Sequence, residues 1–167
     1  LLFKNLNFEF GQKNLLVTYH PVTLEKESSK NNFEALLNVL NDLEDTKIIF
    51  TGPNADTESR IIKEMTNNFV LSNRERAVSY NYMGNLNYLS SLKFIDGLVG
   101  NSSSGLTEAP SFKIGTVNIG DRQKGRLKSN SVIDCKSDKQ SIQEAIDILY
   151  SDSFQENLSN VNNPYGE

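Results

Sequence analysis

The chain has 167 residues, a formal net charge of -4 and one cysteine, with 37% hydrophobic and 23% charged residues. This is one domain's worth of ordinary globular composition, long enough to bury about two thirds of its unfolded surface without covalent staples. The acidic balance argues against a broad nucleic-acid or membrane footprint, and a single cysteine excludes an internal disulfide framework and a Cys-rich metal site.

In chain order, "NLLVTYHP" (14–21) predicts a short buried strand ended by Pro21. A helix is expected from about Ser29 to Asp45, where Phe33, Leu36, Leu37, Leu40 and Leu43 share one face. "KIIFTGPN" (47–54) reads as a second strand running into a Gly-Pro turn, and Ile61, Ile62 and Met65 mark a helix capped by Asp56. "FVLS" (69–72) and "AVSY" (77–80) read as short strand or loop pieces. Leu86, Leu89 and Leu92 stand at helical spacing before the strand "GLVG" (97–100). A helix from about Ser104, the strand "GTVNI" (115–119) and the strand "SVIDC" (131–135) follow. Cys135 falls in that last strand as a small apolar filler. Ile142, Ala145, Ile146 and Leu149 make an amphipathic closing helix, and the tail "SNVNNPYGE" reads as a frayed terminus.

Strands alternate with helices, and the strands are apolar without strict alternation. The expected fold is therefore α/β, a Rossmann-like three-layer domain with a mostly parallel sheet. Residues 1–12 and 151–167 are peripheral in this reading of 1–167 as a single domain. Ligands of such sheets bind at the carboxyl ends of the strands, where His20, Asn54, Asn101–Gly105 and Asp121–Arg126 all fall. These four clusters are expected to line one crevice.

"GNSSSG" (100–105) can seat a phosphate, since Ser102 and Ser103 precede a helix and their amides join the unpaired donors of its first turn. Gly105 would permit close backbone approach. The alternative is an N-cap serine followed by a flexible loop. Glu108, one turn on, either complements the helix dipole or accepts the two hydroxyls of a ribose. "DRQKGR" (121–126) places Arg122, Lys124 and Arg126 after a buried strand, as a solvated face or as a guanidinium clamp on a diphosphate. His20, the one histidine, stands at a strand mouth in either a structural or a catalytic role. No Ser/His/Asp order, Walker loop or metal-ligand spacing appears.

"YHPVT" (19–23), "GNSSSGLTEAP" (100–110) and "NIGDRQKGR" (118–126), in this order and separation, closely resemble the hydrolysing UDP-N-acetylglucosamine 2-epimerases of sialic-acid synthesis. The resemblance covers about residues 12 to 150. The non-hydrolysing branch carries a Ser-Gly-Gly phosphate turn and a Thr-Glu-Arg-Pro segment, both absent here. Gly115 stands where the family usually has proline.

The resemblance implies the C-terminal half of a two-domain GT-B-type fold, an N-terminal domain carrying the catalytic carboxylates, and no cofactor or metal. It implies that Ser102 and Ser103 hold the diphosphate of UDP or UDP-GlcNAc, Glu108 the ribose and Arg122 the phosphate region. Asn54 would face the nucleotide, the backbone near Met83 would meet the uracil, and His20 would lie near the leaving diphosphate. With no apolar run approaching the roughly 20 residues of a membrane span and no visible signal peptide, the expectation is a cytoplasmic protein, compatible with homo-oligomers. Two rivals remain at this point. One is the nucleotide-sugar half of a GT-B glycosyltransferase, where many members carry a second acid at the position of Thr116. The other is a non-catalytic nucleotide-sugar sensor or oligomerisation domain.

Overall fold

Six apolar segments pair into one all-parallel sheet in a computed structural model that describes residues 8–22, 26–52, 59–81 and 83–166. The elements run β1 (Lys13–Thr18), α1 (Lys26–Asp42), β2 (Thr46–Thr51), α2 (Arg60–Ser72), β3 (Ala77–Tyr80), α3 (Asn85–Ser91) and β4 (Gly97–Gly100). After α4 (Ser104–Thr107) and a 3-10 turn at Ala109–Phe112 come β5 (Gly115–Ile119), β6 (Val132–Cys135), α5 (Lys139–Leu149) and α6 (Asp152–Asn157). The strand order is β3-β2-β1-β4-β5-β6, so the direction of winding reverses between β1 and β4. That junction is where doubly wound sheets open a crevice.

Burial on both faces explains why the strands show no polar alternation. Leu15 and Val17 point into a core with Phe33, Leu36 and Leu40 of α1, Ile62 and Phe69 of α2, and Ile142, Ile146 and Leu149 of α5. Leu16, between them, points the other way, into a core with Ile49, Leu92, Ile95, Leu98 and Ala109. Successive side chains of one strand thus serve two cores, and the result is the expected three layers.

Two expectations are corrected. "FVLS" (69–72) is the last turn of α2, because Ile62, Thr66 and Phe69 form one buried helical stripe and Phe69 packs edge-on to Phe50 at 5.5 Å. Tertiary packing overrides the strand propensity of the local apolar run. The tail is docked rather than frayed. Ser151 caps α6, Phe154 packs on the first core, and Leu158 and Val161 are buried. Asn163 Nδ2 donates to Thr107 O at 2.8 Å and to Ser111 Oγ at 2.7 Å, fastening the tail to the segment that follows β4. The same packing explains Gly115. A Cβ there would lie 2.5 Å from Leu149 Cδ1 and 2.6 Å from Phe154 Cε1, so the small residue admits both side chains.

Candidate functional site

The site is built at the carboxyl ends of β1 and β4. Gly100 has φ +141°, and a Cβ on it would lie 1.9 Å from Thr18 O, so only glycine lets the two strands run this close at their ends. The Asn101 N–H donates to that same Thr18 oxygen at 3.1 Å. Beyond it the Asn101 side chain takes over the pairing. Its Oδ1 accepts from the His20 N–H at 2.7 Å, and its Nδ2 donates to His20 O at 2.8 Å. His20 is thereby held against the start of the serine turn.

Ser103 is the N-cap residue of α4, and Ser102 precedes it, as expected. The first intrahelical bonds run from the Leu106 and Thr107 N–H groups to Ser103 O, while the Ser104 N–H reaches Ser102 Oγ at 3.3 Å. The Ser102 and Ser103 side chains are part-exposed. Gly105 has a different role from the one expected of it. A Cβ there would lie 2.4 Å from Thr116 Cγ2, and Thr116 Oγ1 donates to Gly105 O at 3.0 Å. Its missing side chain seats α4 on β5.

A cavity of about 220 Å³ adjoins the turn, lined by Thr51, Gly52, Asn81, Met83, Gly84, Asn85 and Tyr88. Met83 is buried, and its carbonyl accepts from Asn87 Nδ2 at 3.0 Å. Tyr88 forms the wall between cavity and serine turn, its hydroxyl hydrogen-bonded to Ser104 Oγ. Burial pushes the Tyr88 hydroxyl up to about 12, the Ser104 bond opposes that, and the charge of Glu108 adds to it. Glu108 is therefore close to both, at the end of α4.

Tyr88 is expected to stay protonated well past the pH near 10 at which an unfolded tyrosine ionises. Because the folded pKa lies above the unfolded one, this contribution to stability is complete below about pH 10 and is lost as pH rises towards the folded value. An ultraviolet titration of wild type against Tyr88→Phe checks this. The difference should show a tyrosinate appearing near pH 12; one already formed at about pH 10 would mean an open tyrosine.

The loop after β5 closes the far side. Arg122 Nη1 and Gln123 Nε2 both donate to Asn101 O, at 2.9 and 3.0 Å. Arg126 donates to Gln123 Oε1 at 3.0 Å and lies 5.6 Å over the ring of Tyr165. Of the three basic residues in the loop, Arg122 is the one bonded to the β4 end. Asn54 and the expected cap Asp56 lie outside the described residues. Among the described residues no group of His, Cys, Asp and Glu could hold a metal ion, and no helix is long and apolar enough to cross a membrane. Cys135 ends β6 half-buried, and burial together with Asp134 and Asp138 pushes its thiol up to about 12, far from thiolate chemistry.

With this geometry in place, the family model described as UDP-N-acetylglucosamine 2-epimerase matches residues 3–167. The chain belongs to that family. It is 38% identical, over 93% of its length, to a GDP/UDP-N,N'-diacetylbacillosamine 2-epimerase (hydrolyzing) of Campylobacter jejuni, of which it covers 40%. It is 36% identical to a polysialic acid biosynthesis protein of Escherichia coli, covering 97% of this chain and 42% of the relative. The chain thus spans about two fifths of the length of these curated relatives. A crystal structure of UDP-GlcNAc 2-epimerase from Neisseria meningitidis bound to UDP-GlcNAc shares the fold, with TM-score 0.72 at 17% identity over 99% of this chain and 43% of that one.

Within this epimerase-family domain, His20, Ser102, Ser103 and Arg122 gather around residue 101, and Met83 and Glu108 flank Tyr88. The sequence placed Asn101 and Gln123 at the expected crevice without assigning either a role, and it did not single out Tyr88. Asn101 sat in plain view between Gly100 and the serines, while Tyr88 was hidden among the leucines of α3.

Proposed function

We propose that this chain is the UDP-binding, C-terminal half of a two-domain hydrolysing UDP-N-acetylglucosamine 2-epimerase. The observation that supports it best is the unbroken polar run along the strand ends. It passes from the cavity beside Met83, through Tyr88, Ser104 and Glu108, to Ser102, Ser103, Arg122 and His20. A uracil ring fits the cavity end, the ribose hydroxyls fall to Glu108, and the diphosphate falls to the serine turn and Arg122. Asn54 is assigned to nucleotide binding in the same proposal.

In the reaction, a base removes the C2 proton of the sugar while the C1–O bond breaks and UDP departs, leaving a glycal. Water then adds, its hydroxyl to C1 and a proton to C2, which gives N-acetylmannosamine. This chain's part is to bind UDP-GlcNAc and to stabilise the departing diphosphate, with His20 beside it. The base belongs to the N-terminal partner domain. In this reading the protein is cytoplasmic, needs no cofactor, works with that domain and is compatible with homo-oligomers, and its product feeds sialic-acid synthesis. A second reading keeps the nucleotide site and changes the sugar. It is favoured by the 38% identity to the diacetylbacillosamine enzyme, and assaying the whole protein with both UDP-sugars separates the two.

Calorimetric titration with UDP, UMP and uridine tests the site. UDP is expected to bind about 10- to 100-fold more tightly than uridine, the worth of one or more charge-assisted hydrogen bonds to phosphate. Equal affinities would remove the phosphate seat. Glu108→Gln is expected to weaken UDP by about 1.5–3 kcal/mol, the worth of a charged acceptor, while sparing inorganic pyrophosphate. Parallel losses for both ligands would assign Glu108 to the helix or to the phosphate seat instead of the ribose.

A further inference from the structure

We propose that Asn101 is a positioning residue, the junction that sets His20 and Arg122 against the serine turn. This rests on the reading above that these strand ends take a nucleoside diphosphate. Asn101 is 1% exposed, and each of its polar groups is engaged by protein. Its N–H bonds Thr18, its side-chain amide bonds both backbone groups of His20, and its carbonyl receives Arg122 and Gln123. Three segments that are distant in sequence therefore meet on one residue: the end of β1, the end of β4 and the loop after β5.

The chemistry requires asparagine. A planar amide offers one acceptor and one donor side by side, matching the N–H and C=O of a single residue as a neighbouring strand would. It prolongs the β1–β4 pairing past Gly100, where the chain turns into the serines and no longer presents its own ladder. Aspartate lacks the donor and would set a carboxylate oxygen against His20 O. Serine has a shorter side chain and one oxygen in place of the two amide atoms. Gln123, 4% exposed, braces the same carbonyl from below, leaving the remaining guanidinium N–H groups of Arg122 for a ligand. A fixed junction of this kind gives preorganisation: the His20 backbone, the Arg122 guanidinium and the start of the serine turn already stand in one arrangement when the diphosphate arrives.

The test uses Asn101→Ala and Asn101→Asp in this chain, with amide hydrogen exchange at His20 and calorimetry with UDP, inorganic pyrophosphate and uridine. In Asn101→Ala, UDP and pyrophosphate affinities are expected to fall about 10-fold, uridine affinity to stay level and the His20 N–H to exchange at least about 10-fold faster. Asn101→Asp should lose at least as much. In a His20→Ala/Arg122→Ala background the same change should cost less than about 2-fold, since groups acting through one another do not add. Unchanged exchange at His20, independent losses in the combined variant, or uridine weakening in step with UDP would overturn the positioning role. A wild-type chain that binds neither UDP nor pyrophosphate would overturn the nucleotide reading, and this proposal with it. Binding by wild type and Asn101→Ala alike would overturn the positioning role alone.

Discussion

Gly100→Ala is expected to leave this chain unfolded at ambient temperature, while Gly125→Ala leaves it folded. Both glycines have positive φ, +141° and +85°. At Gly125 an added Cβ meets nothing within 4 Å, so the change carries only the backbone penalty of about 1–2 kcal/mol. At Gly100 the Cβ would sit 1.9 Å from Thr18 O and 2.7 Å from Thr18 C, both backbone atoms of the paired strand. No rotamer change relieves that contact. Relief requires opening the β1–β4 ladder where the sheet changes direction, and with it the bonds from Asn101 to Thr18 and His20. A loss of at least about 4–5 kcal/mol is then expected, comparable with the whole stability of many domains. Denaturant unfolding of both variants against wild type is the measurement. Equal stability of the two alanine variants would mean that β1 and β4 do not approach as described.

The contrast shows what the sequence made legible and what it did not. Runs such as Leu15–Val17 and Ile48–Phe50 announce parallel strands because burial on both faces leaves no polar alternation to confuse them. The crevice residues were legible for a related reason: polar groups directly after such runs have nowhere to go but the strand ends. What escaped notice depends on neighbours far along the chain. Gly105 looked like a ligand-facing glycine until Thr116 appeared beneath it. Arg126 looked like part of a phosphate clamp, yet it answers to Gln123 and to Tyr165 in the tail. The tail itself reads as polar, and its few apolar residues, Phe154, Leu158 and Val161, take their meaning from the sheet edge they cover. Asn101 is the sharpest case. Its two partners on His20 lie 81 positions away, and only the strand order brings them together.

This chain alone is expected to release no UDP from UDP-GlcNAc, whereas the two-domain protein is expected to turn over and to lose most of that activity on His20→Ala. Elimination requires a base at the C2 proton as well as a stabilised leaving group. Glu108 is packed near Tyr88 and Ser104 and, in the proposed function, serves the ribose. In the proposed function His20 stands at the diphosphate end, and its backbone is fixed by Asn101. In that proposal these groups favour departure of UDP and leave removal of the C2 proton to the other domain. A sugar held at open strand ends would be exposed to water, and closure by a facing domain would strengthen every charge interaction there. A general base typically contributes a factor of about 100 to 10,000, and the oriented leaving group a comparable one, so half a cleft should fall below detection. The assay follows UDP and N-acetylmannosamine with this chain, the two-domain protein and its His20→Ala variant. Repeated turnover by the chain alone would place the base within these 167 residues. A fully active His20→Ala variant would return that histidine to a structural role.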